Sequence, residues 1–404
     1  MDLNVVIVGH VDHGKSTLIG RLLYDSETLP EDKLAEVQKL LEEYKKRFEF
    51  AYFLDSFEEE LKEERTIDTT RVIFRGKRKF YTIVDVPGHK EFIKNMLTGA
   101  SHAQLAILVV SAPEGVREQT KRHSFLLNLL GIKKVIVAVN KMDLVNFDEK
   151  VFLRVKDEVS RMLSSFGIFP LSFIPISALE GDNVYKGSER MGWYGGQTLI
   201  EALDGVEVET FGEKPLRFVV QDVYRIEGQD IVVGRVESGY LVRGDELIFQ
   251  PSGIKGMVRS IKVYPGEVER AETGDCIGVI IDGRPLRGDV GGRPEDPPRD
   301  VHRFKGEAVI LEGDLKKGEE VEIRCGTKIS RGIVREIKER ISSESGEVME
   351  ISPSFIDRNE AGVMVFEVDP MVVEKFLDIP ELGRFVLRRG GKNIGAGIVL
   401  EKEE

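Results

Sequence analysis

The sequence predicts an α/β phosphate-loop domain, a mostly parallel sheet with helices on both faces, followed by two all-β barrel domains. Three observations carry this. In the first half, short β-branched runs alternate with longer amphipathic ones, the pattern of a parallel sheet wrapped by helices. After about residue 212 the texture changes to short alternating runs separated by glycine-bearing turns such as GQD, SGY, RGDE, PSG and ETGD, which is all-β texture. A glycine-rich phosphate-loop pattern, GHVDHGKS at residues 9–16, follows the first strand-like run directly.

The elements follow in order. Strands are expected at 4–8, 79–85, 105–111, 134–140 and 172–177, and helices at 15–24, 89–99, 117–130 and 148–166. Between the first helix and the second strand, residues 31–64 are charge-dense, yet Leu34, Val37, Leu40, Leu41, Tyr44 and Phe48 recur at helical spacing. Such stripes are usually packing faces of solvated helices. Their place between two phosphate-site motifs also makes them a candidate mobile segment. Residues 288–300, GDVGGRPEDPPRD, read as an interdomain linker, because prolines cannot donate to a central ladder. The tail carries the hairpin signals LKKGEE and ESGE and a last strand around 393–400. The domains expected are 1–212, 213–300 and 301–404.

Composition agrees with this plan. At roughly 150 residues per domain, 404 residues allow two to four domains, and 41% hydrophobic content can give each a core. No run of 18 apolar residues is present, so no membrane partner is expected. The opening MDLNVVIVGH goes straight into a strand-like run, so no signal peptide is expected either. Two cysteines, Cys276 and Cys325, each in an alternating stretch that reads as core strand, fit a reduced cytoplasm. The net charge of -12 leaves every one of the three domains acidic, which argues against a whole surface built for nucleic acid. A local patch such as Arg384, Arg388, Arg389 and Lys392 stays open, its plainer meaning being a solvated edge.

The chemistry concentrates at four motifs. In residues 12–17 (Asp12, His13, Gly14, Lys15, Ser16 and Thr17), successive backbone N–H groups and a helix N-terminus form an anion cradle. Lys15 would reach the β and γ phosphates, and the Ser16 hydroxyl would ligate Mg²⁺. DVPGH, residues 85–89, ends the next core strand, where Asp85 can hold Mg²⁺ through water and the Gly88 N–H can sense a γ-phosphate. NKMD, residues 140–143, decides the base: the Asp143 carboxylate can accept from guanine N1–H and the 2-amino group, a donor pair adenine lacks. Asn140 and Lys141 would tie the base to the phosphate loop. SALEG, with Ser177, Ala178 and Leu179, could give guanine O6 a backbone N–H from Ala178.

Each motif, read singly, has a plain structural meaning: a glycine turn, a Pro-Gly turn, a helix cap or a common dipeptide. Their joint order at strand C-terminal ends is what suits a guanine-nucleotide site for GTP or GDP on an open α/β sheet. His89, beside Gly88, is placed to orient an attacking water, or else it caps helix 89–99. Thr66 in ERTIDTT is a candidate for the Mg²⁺ shell, and Thr69 or Thr70 could serve equally. His10 and His13 have His-x-x-His spacing without the cysteine or carboxylate partners that zinc needs. Met191, Trp193 and Tyr194 read as packing and not as a base-stacking platform.

GHVDHGKS, DVPGH followed by EFIKNMLTGAS, and NKMDLV resemble the GTPases of the translation-factor superfamily, and the resemblance runs over nearly the whole chain. KPLRFVVQDVY, GRVESG and RGDV resemble its second domain, and LGRFVLRRGGKNIGAGIVL the closing strands of its third. This implies a GTP-binding, GTP-hydrolysing domain with two β-barrels, a water-orienting histidine at position 89, and Thr66 as the Mg²⁺-binding threonine of the first switch. The usual Arg-Gly-Ile-Thr-Ile is replaced here by Glu64-Arg65-Thr66-Ile67.

Within the superfamily two roles compete. QTKRHSFLLNLLGIK, SALEGDNV and MGWYGGQTL are similar to the GTPase subunit of bacterial heterodimeric sulfate adenylyltransferase, which implies coupling of GTP hydrolysis to adenylyl sulfate formation by an adenylylating partner subunit. DPP at 296–298, QDVY and the final strands are similar to elongation factors of the 1-alpha and Tu type, which implies aminoacyl-tRNA and the ribosome as partners. The absence of a Gly-Tyr-x-Pro segment early in the third domain, and PSG at 251–253, favour the sulfate role.

Overall fold

A computed structural model describes residues 3–28, 71–84, 103–207, 214–226, 228–263 and 266–403. The chain forms two compact units, residues 1–208 with 343–346, and residues 209–342 with 347–404. In the first, β1 (Leu3–Gly9), β2 (Arg71–Arg75), β3 (Phe80–Val84), β4 (Leu105–Ser111), β5 (Val135–Asn140) and β6 (Ser172–Pro175) make one sheet in the order β2-β3-β1-β4-β5-β6. All neighbours run parallel except β2, which pairs antiparallel with β3. Every residue of β4 and β5 is buried, as expected of parallel strands covered on both faces.

The covering helices are α1 (Lys15–Asp25), α2 (Glu118–Leu129), α3 (Glu149–Ser165) and α4 (Leu199–Asp204). Residues of one parity, Leu3, Val5 and Ile7 of β1 and Leu105, Ile107 and Val109 of β4, join Leu18, Ile19, Leu22 and Leu23 of α1 and Leu199, Ile200 and Leu203 of α4 in one core. In α3 the buried Phe152, Val155, Val159 and Leu163 fall at helical spacing, and Asp148 caps the helix by accepting from the Lys150 N–H at 2.7 Å. Thr198 and Glu201 close α4 with a reciprocal capping box at 3.3 and 3.1 Å.

Each strand and helix expected among the described residues forms, with ends shifted by a residue or two, where caps decide the boundary. Strand β2 and helix α4 were not expected. β2 lacks strict alternation, and its place is fixed by tertiary contacts: Phe74 stacks on Tyr81 of β3 at 5.0 Å, and the Tyr81 hydroxyl donates to Asp204 Oδ1 at 2.6 Å. Helix 89–99 and the amphipathic stretch 31–64 lie outside the described residues.

In the second unit two six-stranded rings close. Strands Glu246–Gln250, Val290–Gly292, Arg217–Ile226, Gln229–Ser238, Cys276–Ile281 and Ile254–Val263 pair in that order, and the last pairs with the first. Strands Glu320–Cys325, Arg384–Arg389, Lys392–Glu403, Asp300–Ile310, Glu360–Val372 and Lys328–Ser342 do the same. Phe304, Phe366 and Phe385 fill the second barrel with ring centres 5.2 to 5.4 Å apart.

Two sequence expectations fail here. The stretch 288–300 is not simply a linker, because Val290–Gly292 is a strand of the first barrel, paired with Phe249 on one side and Val219 on the other. Its glycines read as breakers, yet they admit the Phe249 ring, whose Cε1 lies 2.7 Å from where a Gly291 Cβ would stand. Cys276 is exposed, on the outward parity of its strand, whereas Cys325 is buried. Both cysteines are free thiols.

The two barrels share a core. Val219 and Val290 of the first belong to the same buried cluster as Val301, Ile379 and Leu382. Buried Arg217 donates to Glu374 Oε1 at 2.7 Å, and Lys402 donates to Glu374 Oε2 at 2.6 Å. Among the described residues no helix is long and apolar enough to cross a membrane.

Candidate nucleotide site

Parallel pairing brings Gly9 beside Val109 and Ser111 beside Asn140, so the loops leaving β1, β5 and β6 meet at one edge of the sheet. The first loop turns through Asp12 (φ 63°) and Gly14 (φ 89°) into α1, whose N-cap is Gly14. A Cβ on Gly14 would lie 2.4 Å from Asn140 Nδ2, so glycine serves both the left-handed turn and the close approach. The Lys15 ammonium donates to the carbonyls of Gly9 at 3.0 Å and His10 at 2.9 Å, which holds it across the loop. The Val11 N–H donates to Gln119 Oε1 of α2 at 3.1 Å.

His13 is fully buried, with Nδ1 3.2 Å from the Val109 carbonyl and Nε2 3.9 Å from Glu114 Oε2. Burial pushes its pKa down to about 4, against the opposing pull of the Val109 carbonyl and Glu114. The ring is therefore neutral near pH 7, and the tautomer protonated on Nδ1 donates to Val109. His10 meets it edge-on at 5.2 Å. Among the described residues no cluster of three or more His, Cys, Asp or Glu is arranged to hold a metal ion.

Asn140 is the joint between loops. It is 2% exposed, its Nδ2 donates to the His13 carbonyl at 2.9 Å, and its Oδ1 accepts from the Ala178 N–H at 2.9 Å. Lys141 takes the left-handed conformation (φ 62°), which turns the chain so that half-buried Asp143 accepts from the Ser177 hydroxyl at 2.6 Å. The turn after β6 closes with the Gly181 N–H donating to the Ser177 carbonyl at 2.8 Å and the Glu180 N–H to Ser177 Oγ at 3.2 Å. Arg21 of α1 reaches the same turn, donating from Nε to the Ala178 carbonyl at 3.1 Å and from Nη2 to the Leu179 carbonyl.

The structure thus gathers residues 12–17 with Asn140, Lys141, Asp143, Ser177, Ala178 and Leu179 in one constellation. Thr66, Asp85, Gly88 and His89 lie outside the described residues. Arg21 and Gln119 were not picked out from sequence, since each acts on backbone atoms of another loop and neither belongs to a motif. Trp193 donates from Nε1 to the Phe147 carbonyl at 2.9 Å and packs on Phe152 at 5.4 Å, which is the packing role expected of it. In the second barrel Arg388 pairs with Glu322 and Arg389 with Glu319, so this stretch spends much of its positive charge on its own carboxylates.

A phosphate loop on a helix N-terminus, joined through a buried asparagine to a carboxylate-bearing base loop, defines a P-loop guanine-nucleotide-binding protein. The comparisons agree. The model of the elongation factor Tu GTP binding domain matches residues 2–209, and that of the GTP-eEF1A C-terminal domain-like family matches residues 303–400. Elongation factor 1-alpha from Archaeoglobus fulgidus is 43% identical over 411 residues, covering 99% of this chain and 97% of that protein. Elongation factor 1-alpha from Methanothermobacter thermautotrophicus is 41% identical over 410 residues, covering 99% and 97%. A solved structure of Sup35 complexed with GDP is 22% identical over the whole chain, with a TM-score of 0.48. The chain belongs to the GTP-binding translation-factor family of elongation factors Tu and 1-alpha. These relatives reverse the ranking that sequence motifs suggested, and favour the elongation-factor role over the sulfate-activation role.

Proposed function

We propose that the chain is a GTP-driven carrier: in its GTP form it binds aminoacyl-tRNA, delivers it to the ribosome in the cytoplasm, and releases it after hydrolysis. The observation that supports this most is that relatives named elongation factor 1-alpha match it from end to end, barrels included. The functional domains are 1–212 for nucleotide, and 213–300 and 301–404 for partner binding.

The site residues take these roles. Amides of residues 12–17 and the Lys15 ammonium hold the phosphates, Asp143 takes guanine N1–H and the 2-amino group, and Ser177, Ala178 and Leu179 hold the base edge. Asn140 and Lys141 join the two halves. Mg²⁺ takes hard oxygen ligands. Ser16, the second residue of α1, fits this: its hydroxyl has no hydrogen bond to any described residue and stands at the cradle. Thr66 and Asp85 would complete the set, and the ion when bound offsets phosphate charge. Gly88 senses the γ-phosphate and His89 orients the attacking water.

Filter binding of charged tRNA tests this reading. GTP-dependent retention that is lost with GDP is expected. Retention of no tRNA, together with co-purification of an adenylylating subunit, would favour the sulfate role instead.

A further inference from the structure

The guanidinium of Arg21, on the phosphate-loop helix, reaches across to the base loop. Its side chain is 12% exposed and is steered by Asp25 one turn on, at 3.5 Å. It donates to two successive carbonyls, of Ala178 at 3.1 Å and of Leu179. Fixing the Ala178 carbonyl fixes the peptide plane it shares with the Leu179 N–H, and hence the direction in which that N–H points, while the Ala178 N–H is held by Asn140 Oδ1 and the Glu180 N–H by Ser177 Oγ. The turn is built to receive it: Gly181 (φ +87°) passes so close that a Cβ there would stand 3.2 Å from Arg21 Nη1. The other side of Arg21 lines a polar cavity of about 540 Å³ with Asp25, Asp182 and Lys186, so its head is not core filling.

We propose that Arg21 is a positioning residue for guanine selectivity: from the phosphate-loop helix, it aims the backbone N–H of residue 179 at guanine O6. The inference rests on the guanine-site reading above. A charge-assisted pair of hydrogen bonds to backbone oxygens is stronger than neutral ones and holds its geometry tightly.

The test compares GDP with 6-thioguanosine diphosphate, which keeps the N1–H and 2-amino donors and replaces O6 with a weak acceptor. Titration calorimetry is run on the full chain for wild type, Arg21→Met and Arg21→Lys. Wild type is expected to prefer GDP by about tenfold or more, the worth of a well-made hydrogen bond to a buried amide. In Arg21→Met this ratio should fall toward one while 6-thio-GDP affinity holds, and Arg21→Lys, able to reach one carbonyl, should restore part of it. An unchanged ratio in Arg21→Met, or equal losses for both nucleotides, would overturn the inference. If Arg21→Met does not fold, Arg21→Lys decides it, a ratio equal to wild type counting against. A wild type that does not discriminate the two nucleotides would instead overturn the reading of residues 177–179, and the inference with it.

Discussion

His13 shows how one residue couples the cradle to stability. A histidine whose pKa falls on folding, from 6.5 to about 4, takes up its proton in the unfolded state first. Its contribution is therefore whole above pH 6.5, is lost as the pH falls toward 4, and changes no further below that. Full loss amounts to about 3 kcal/mol. Urea midpoints from pH 7.5 to 4 should drop more steeply for wild type than for His13→Asn, whereas parallel curves would refute the burial account. His89 is expected to act on the water and not on the nucleotide. His89→Ala should lower the hydrolysis rate by about a hundredfold while GTP affinity stays near wild type. A comparable loss of affinity in a binding titration would remove it from that role. Motif residues such as Lys15, Asn140 and Asp143 were legible in sequence because each acts within a short spacing fixed by its loop. Arg21 was not, since its partners Ala178 and Leu179 lie more than 150 residues away and are backbone atoms of another turn.

At the scale of elements, one carboxylate takes two hydrogen bonds from the edge hairpin of β2 and β3. Asp204, at the end of α4, accepts from Tyr81 at 2.6 Å and from the Lys77 N–H at 2.9 Å. Burial, together with this carboxylate, pushes the Tyr81 hydroxyl well above the usual tyrosine range, so it stays a donor at any working pH. Tyr81→Phe should cost about 1–3 kcal/mol by leaving the carboxylate short of a partner. Chemical denaturation checks it, and no measurable change would mean that the Tyr81 bond to Asp204 does not help to hold the hairpin. Strands β1, β4 and β5 were readable because burial on both faces writes continuous apolar runs. The short strand Val290–Gly292 was not, because its fitness lies in what glycine lets neighbouring rings do.

For the whole molecule, the acidic balance excludes a basic domain but says little about a carrier, since Arg388 and Arg389 are already paired within their own barrel. The barrels themselves are joined through Glu374, which takes Arg217 and Lys402 together in a buried setting. Removing one member of such a group costs about 3–5 kcal/mol, because charge is left uncompensated. Glu374→Gln should lower hydrogen-exchange protection in Arg217–Ile226 and Glu360–Val372 alike; a loss confined to the second barrel would show that the barrels are not coupled there. The two-barrel plan was legible from turn spacing, while the sharing of one core across both was not, because no local pattern marks Val219 and Val290 as facing a second barrel. The central claim, that a guanine site read by Asp143 switches a tRNA carrier, is tested most directly by retention of charged tRNA on filters by Asp143→Asn, with GTP or xanthosine triphosphate present. The variant should retain tRNA with xanthosine triphosphate and lose retention with GTP, the reverse of wild type. Retention by the variant that still depends on GTP would contradict the account.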